Sequence, residues 1–130
     1  MLSQTLQTGI ARWIIEIFGW DSYLNKNERA KRFLEEAIEL NQAMGVSQED
    51  ALRLVNHVYS KPVGDVEQEL GGVGITLLAL GSALSLDVSA LTLREYARIS
   101  ALPADHFRKR QAIKAEAGVA MKVGAPNAGA

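Results

Sequence analysis

An all-α fold is predicted by three features of the chain. Apolar residues recur at helical spacing through successive segments, capping residues open those segments, and glycine or proline closes them. Ser47-Gln48-Glu49-Asp50 and Asp65-Val66-Glu67-Gln68 are openings of this kind, and Gly19, Gly45, Lys61-Pro62-Val63-Gly64 and Pro103 are stops.

In residues 4–18, Leu6, Ile10, Trp13, Ile14 and Ile17 fall on one helical face, and Gly19 ends that first helix. The polar stretch Asp21 to Asn27 leads into a second helix over about 26–44, capped by Asn25 or Asn27. Its apolar side is Phe33, Leu34, Ala37, Ile38, Leu40 and Met44, and Gly45 is a natural residue to follow the last turn. Ser47 caps a third, shorter helix running to about Tyr59, with Glu49 and Asp50 meeting the positive end of its dipole. Asp65 to Gln68 reads as a capping box opening a fourth helix over about 65–86. Beyond Leu70 this helix is apolar on nearly every side, the pattern of a central or interface helix. Glycines 71, 72, 74 and 81 lie inside it. Each costs about 1 kcal/mol relative to alanine, which calls for close helix–helix contact as an offset. Asp87-Val88-Ser89 starts a further helix that Pro103 interrupts, and the basic run Arg108 to Lys114 adds a last one. The chain is thus expected to be one domain over 1–117, followed by a flexible tail over 118–130 rich in Gly, Ala, Pro and Asn.

Bulk properties exclude several functions. Fourteen basic and fifteen acidic residues give a net charge of −1, so nothing global recommends a nucleic acid polymer or an anionic membrane as partner. The absence of cysteine removes disulfides, thiolate nucleophiles and cysteine-held zinc. Leu70 to Leu86 is shorter than a membrane span of about 20 residues and carries four glycines, and Arg12 and Glu16 interrupt the apolar stretch near the N-terminus. No membrane segment or secretory pattern is therefore expected, and cytoplasmic residence is the default.

Chemistry is concentrated in carboxylates. Glu35-Glu36-Ala37-Ile38-Glu39 places Glu36 and Glu39 one turn apart on a helix, with Cβ atoms about 5–6 Å apart. Paired carboxylates suit a hard divalent cation such as Mg2+. A second acidic set, Asp65, Glu67 and Glu69, opens the fourth helix, so two helices could serve one metal. Read as surface charge, the first set would instead include Arg32 pairing with Glu36 across one turn, worth about 0.2–0.5 kcal/mol.

Over about residues 28–115 the chain resembles the MazG-like all-α nucleoside triphosphate pyrophosphohydrolases. Their signature is an EExxE motif on one helix and ExxD on a later one. Glu35 to Glu39 matches the first in full, whereas Glu69-Leu70-Gly71-Gly72 has glycine at the aspartate position. The resemblance implies a four-helix core with extra terminal helices, homodimers or homotetramers, and Mg2+-dependent, or Mn2+-dependent, cleavage of a nucleoside triphosphate to the monophosphate and pyrophosphate. It implies Glu36, Glu39 and Glu69 as metal ligands, with Glu35 as a further ligand or the water-orienting base and Glu36 also catalytic. Such an enzyme would cleanse a nucleotide pool. A non-catalytic nucleotide-binding or regulatory protein with a degenerate metal site is the alternative reading.

The basic cluster Arg108, Lys109, Arg110 and Lys114 is a candidate for gripping phosphates, and Thr76 could touch substrate, although a helical threonine more often bonds a preceding carbonyl. Lys61 and Arg29 are weaker candidates. Asp65 is either a cap or an extra ligand. Trp13, Trp20, Phe33, His57 and Tyr59 could stack on a base, though core packing is the commoner role of such residues.

Overall fold

The structure is a computed structural model that describes residues 2–124, with only the helical backbone described for residues 2–4. Among the described residues the architecture is all-helical: α1 (Leu2–Phe18), α2 (Trp20–Leu24), α3 (Lys26–Ala43), α4 (Gln48–Tyr59), α5 (Val66–Ala83), α6 (Val88–Ser100) and α7 (Ala104–Glu116). No single helix among them is long and apolar enough to cross a membrane.

The capping chemistry explains the boundaries. Asn25, rather than Asn27, caps α3, its Oδ1 accepting from the Glu28 amide at 2.9 Å. Ser47 Oγ accepts from the Asp50 amide, Asp65 Oδ2 from the Gln68 amide and Asp87 Oδ1 from the Ala90 amide, each three residues on, satisfying first-turn donors that lack a helical partner. The polar stretch after Gly19 differs from expectation by forming the short helix α2. Gly19, at φ 87°, redirects the chain in a conformation glycine adopts without steric penalty. The last helix is longer than its basic run, starting directly after Pro103, whose fixed φ suits a helix entry.

Three helices end in the same way. After α3, α5 and α7 the chain turns through a left-handed residue, and a backbone amide reaches back to a carbonyl of the last turn: Val46 to Asn41, Leu86 to Gly81 and Val119 to Lys114. The left-handed residue is Gly45 in the first case and Gly118 in the third, but Ser85, at φ 56°, in the second. A side chain there is strained by about 1–2 kcal/mol. Ser85→Gly is therefore expected to stabilise the protein by up to about 1 kcal/mol, once the extra chain entropy of glycine is subtracted, as read by urea denaturation.

By compactness the chain divides into two units, residues 1–37 with 96–130, and residues 38–95. In the first unit α1 packs on α2 and α7. Trp13 sits edge-on to Phe107 at 4.9 Å and to Phe18 at 6.0 Å, and Ile17 is the buried hydrophobic residue. Arg108 Nε donates to the Ile17 carbonyl at 3.1 Å, tying α7 to the last turn of α1. The second unit holds the end of α3, α4, α5 and the start of α6. Among its described residues no two helices pack along their lengths, and Val63, Tyr59 and Ile75 are 100%, 86% and 71% exposed.

Glycines 71, 72 and 74, read as points of close helix contact, have nothing within 4 Å of where a Cβ would stand. Only Gly81 meets neighbours, Val88 and the Leu86 carbonyl, where α5 turns into α6. Trp20, Phe33 and Tyr59 are likewise exposed rather than in a core, whereas Trp13 is packed. Of the segment expected to be flexible, residues 118–124 are described and carry the contacts set out below, and 125–130 lie outside the described residues.

Candidate functional site

The acidic face of α3 carries two different environments. Toward its N-terminus, Glu28 is 3% exposed. Its Oε1 accepts from Gln111 Nε2 at 3.3 Å, its Oε2 accepts from the Met121 amide at 3.0 Å, and Arg32 Nε lies 3.4 Å away. Gln111 Nε2 also donates to the Met121 carbonyl at 2.8 Å, and Arg32 donates to the Val119 carbonyl. One buried carboxylate thus gathers α3, α7 and the strand of chain after α7. Beside it, Arg29 donates to the buried Ser22 Oγ at 3.0 Å, and burial pulls the Arg29 guanidinium below its usual pKa.

Two turns on from Glu28, Glu35 accepts a hydrogen bond from Lys114 Nζ and lies 3.2 Å from Arg32. The Lys114 bond holds the Glu35 carboxyl below the usual carboxylate range, with the charges of Lys114, Arg32 and Arg110 adding to it against the opposing effect of burial. Arg32 therefore pairs with Glu28 and Glu35, not with Glu36 as the surface reading has it. A depressed carboxyl contributes stability that is complete above its unfolded pKa and disappears as pH falls through the lower folded value. Lys114→Gln is expected to return the Glu35 titration upward toward the ordinary carboxylate range, followed by carbon NMR of its side-chain carboxyl. An unmoved titration would contradict the pairing.

Glu36 and Glu39, on the same helix, are exposed, and neither forms an ion pair among the described residues. Glu69, in the first turn of α5, is exposed, and its carboxyl lies against Gly64. Gly72, one turn after Glu69, has open space around it. Asp65 acts as the α5 cap. Thr76 Oγ1 donates to the Val73 carbonyl at 3.0 Å, the ordinary helical arrangement.

Of the basic candidates, Arg108 is anchored on α1, Lys114 is paired with Glu35, and Lys109 and Arg110 are exposed. A cavity of about 330 Å³ lies along α7, with Arg108, Gln111, Glu116 and Lys122 in its wall.

Compared with protein-family models, curated proteins and solved structures, the chain matches none.

Glutamate oxygens are the right donors for Mg2+ or Mn2+. Among the described residues, however, no three His, Asp or Glu side chains come together to hold a metal ion. Glu35 is engaged by Lys114 and Arg32. Sequence reasoning missed Glu28, whose signal was only an acid inside the charged run Glu28 to Arg32, and missed that Lys114 is the partner of Glu35.

Proposed function

We propose that the protein is a nucleoside triphosphate pyrophosphohydrolase that works with Mg2+ or Mn2+ in an assembly of two or four copies, built on a MazG-like helical core. The observation that carries this reading is the placement of Glu36 and Glu39 on an exposed face of α3, followed in the chain by Glu69 in the exposed first turn of α5. This is the order of the EExxE and ExxD motifs, with Gly72 in the last position.

Roles divide by environment. A general base works best with a pKa near the operating pH, and Glu35 is held below even the ordinary carboxylate range. Its pairing with Lys114 suits it to positioning α7 rather than to taking a proton. Glu36, exposed and without an ion pair among the described residues, is the better catalytic candidate, with Glu39 and Glu69 as its companions toward the metal. Lys109 and Arg110, exposed on α7, remain able to meet phosphate oxygens, and Lys114 joins them only by leaving Glu35. The cytoplasm is the compartment where such an activity would act on a nucleotide pool.

Pyrophosphate release from a panel of canonical and modified nucleoside triphosphates, with Mg2+ or Mn2+ and an EDTA control, tests the reading. Metal-dependent release with the matching monophosphate is the expected result. Nucleotide binding without turnover would favour the non-catalytic binder, for which Gly72 in the aspartate position is the specific observation.

A further inference from the structure

The strand of chain after α7 is held through its main chain. Met121 donates its amide to Glu28 Oε2 at 3.0 Å and accepts at its carbonyl from Gln111 Nε2 at 2.8 Å, while Arg32 Nη2 donates to the Val119 carbonyl. The Val119 side chain is 50% exposed, so these hydrogen bonds rather than its apolar burial fasten the strap. Gly118, at φ 75°, is the joint between α7 and the strap. All of these residues belong to the unit formed by residues 1–37 and 96–130.

Arg32 connects the strap to the pair formed by Glu35 and Lys114. Its Nε lies 3.4 Å from Glu28 and its Nη1 3.2 Å from Glu35, yet both nitrogens are buried and neither makes a hydrogen bond among the described residues. Its hydrogen bond goes to the Val119 carbonyl, so the strap sets where the guanidinium points. Buried donors left unmet are costly, and a guanidinium bonds a carboxylate best through two parallel bonds that engage both oxygens. Glu35 meanwhile accepts from Lys114. One carboxylate thus has two cationic partners, and the strap decides between them.

Resting on the functional reading above, we propose that the strap is an autoinhibitory latch. With residues 119–121 in place, Arg32 is held toward Val119 and Lys114 is confined to Glu35. When the strap lifts at Gly118, Arg32 turns its fork onto both oxygens of Glu35, and Lys114 is released to join Lys109 and Arg110 on a phosphate-bearing ligand. The coupling is reciprocal: loss of the strap tightens the ligand, and the ligand loosens the strap.

The test is Met121→Pro in the full-length chain, which removes the amide that Glu28 holds and leaves the side chains of Arg32, Glu35 and Lys114 unchanged. Backbone order parameters over residues 119–123 report the strap, nitrogen NMR of the Lys114 ammonium reports its bond to Glu35, and calorimetry measures the affinity for pyrophosphate. The expected result is a loosened strap, a freed ammonium and pyrophosphate bound about tenfold more tightly, the scale of one charge-assisted hydrogen bond. That gain should vanish when Lys114→Gln is added. In the wild-type protein, saturating pyrophosphate should speed amide exchange at Met121. A strap that stays ordered in the variant, or one that loosens with Lys114 still on Glu35, overturns the latch whatever the protein hydrolyses. Wild-type exchange at Met121 that pyrophosphate leaves unchanged overturns it even if the variant does not fold. A freed Lys114 beside unchanged pyrophosphate affinity removes the inhibitory role. A working latch in a protein that releases no pyrophosphate from any triphosphate overturns the functional reading alone.

Discussion

Replacing Glu39 with glutamine is expected to lower metal-dependent pyrophosphate release by at least about a hundredfold while leaving the helices intact. Groups that merely orient metal ligands are worth 10–100-fold in affinity or activity, and a ligand itself is worth no less. The fold has little stake in this side chain. Glu39 is exposed and has no ion pair among the described residues, a setting in which a substitution changes stability by about 0.5 kcal/mol or less. Glu36→Gln is expected to behave alike. Steady-state release assays beside circular dichroism check both halves of the statement, and full turnover in both variants would remove these glutamates from the site.

Glu28→Ala is expected to do the opposite, destabilising the protein, because each buried donor left without its acceptor costs about 1–3 kcal/mol and Arg32 keeps Glu35 as its one carboxylate partner among the described residues. The Glu28 side chain is 3% exposed and that of Arg32 is 18% exposed, with the two 3.4 Å apart. The substitution also strips Gln111 and the Met121 amide of their acceptor, so the segment after α7 loses its hold on α3. Urea denaturation gives the magnitude, and amide exchange at Met121 reports the local release. Glu28→Gln, which keeps an acceptor oxygen, should lose less. Equal losses in the two variants would show that the negative charge, not the hydrogen-bond acceptors, carries the effect.

These expectations rest on features of very different visibility in the sequence. Helices α4 to α6 were legible because their caps are local: Ser47, Asp65 and Asp87 each bond an amide three residues on, and the chemistry that selects them acts within one turn. The short α2 was hidden, because five residues are too few for periodicity to register. Glu28 was hidden for another reason. Its partners lie 83 and 93 residues away, and no spacing rule reports which acid a returning segment will select.

The candidate site divides along the same line. The EExxE run and the acidic start of α5 are sequence facts, as is the glycine at residue 72. What surrounds them is not. Lys114 has the composition of a phosphate-binding residue, but α7 places its ammonium on Glu35. Gly71, Gly72 and Gly74 read as points of close helix contact, yet no such packing is present among the chain's own described residues. An apolar helix pattern looks the same whether its cover comes from the same chain or from another copy.

The most direct measurement on the central claim, that the glutamates of α3 and α5 hold a divalent ion, is the number of Mn2+ ions bound per chain, by electron paramagnetic resonance without nucleotide. The expected result is saturable binding by the wild-type protein that is lost in both Glu39→Gln and Glu69→Gln. Wild-type protein that binds no Mn2+, or binding that survives both substitutions, would contradict it.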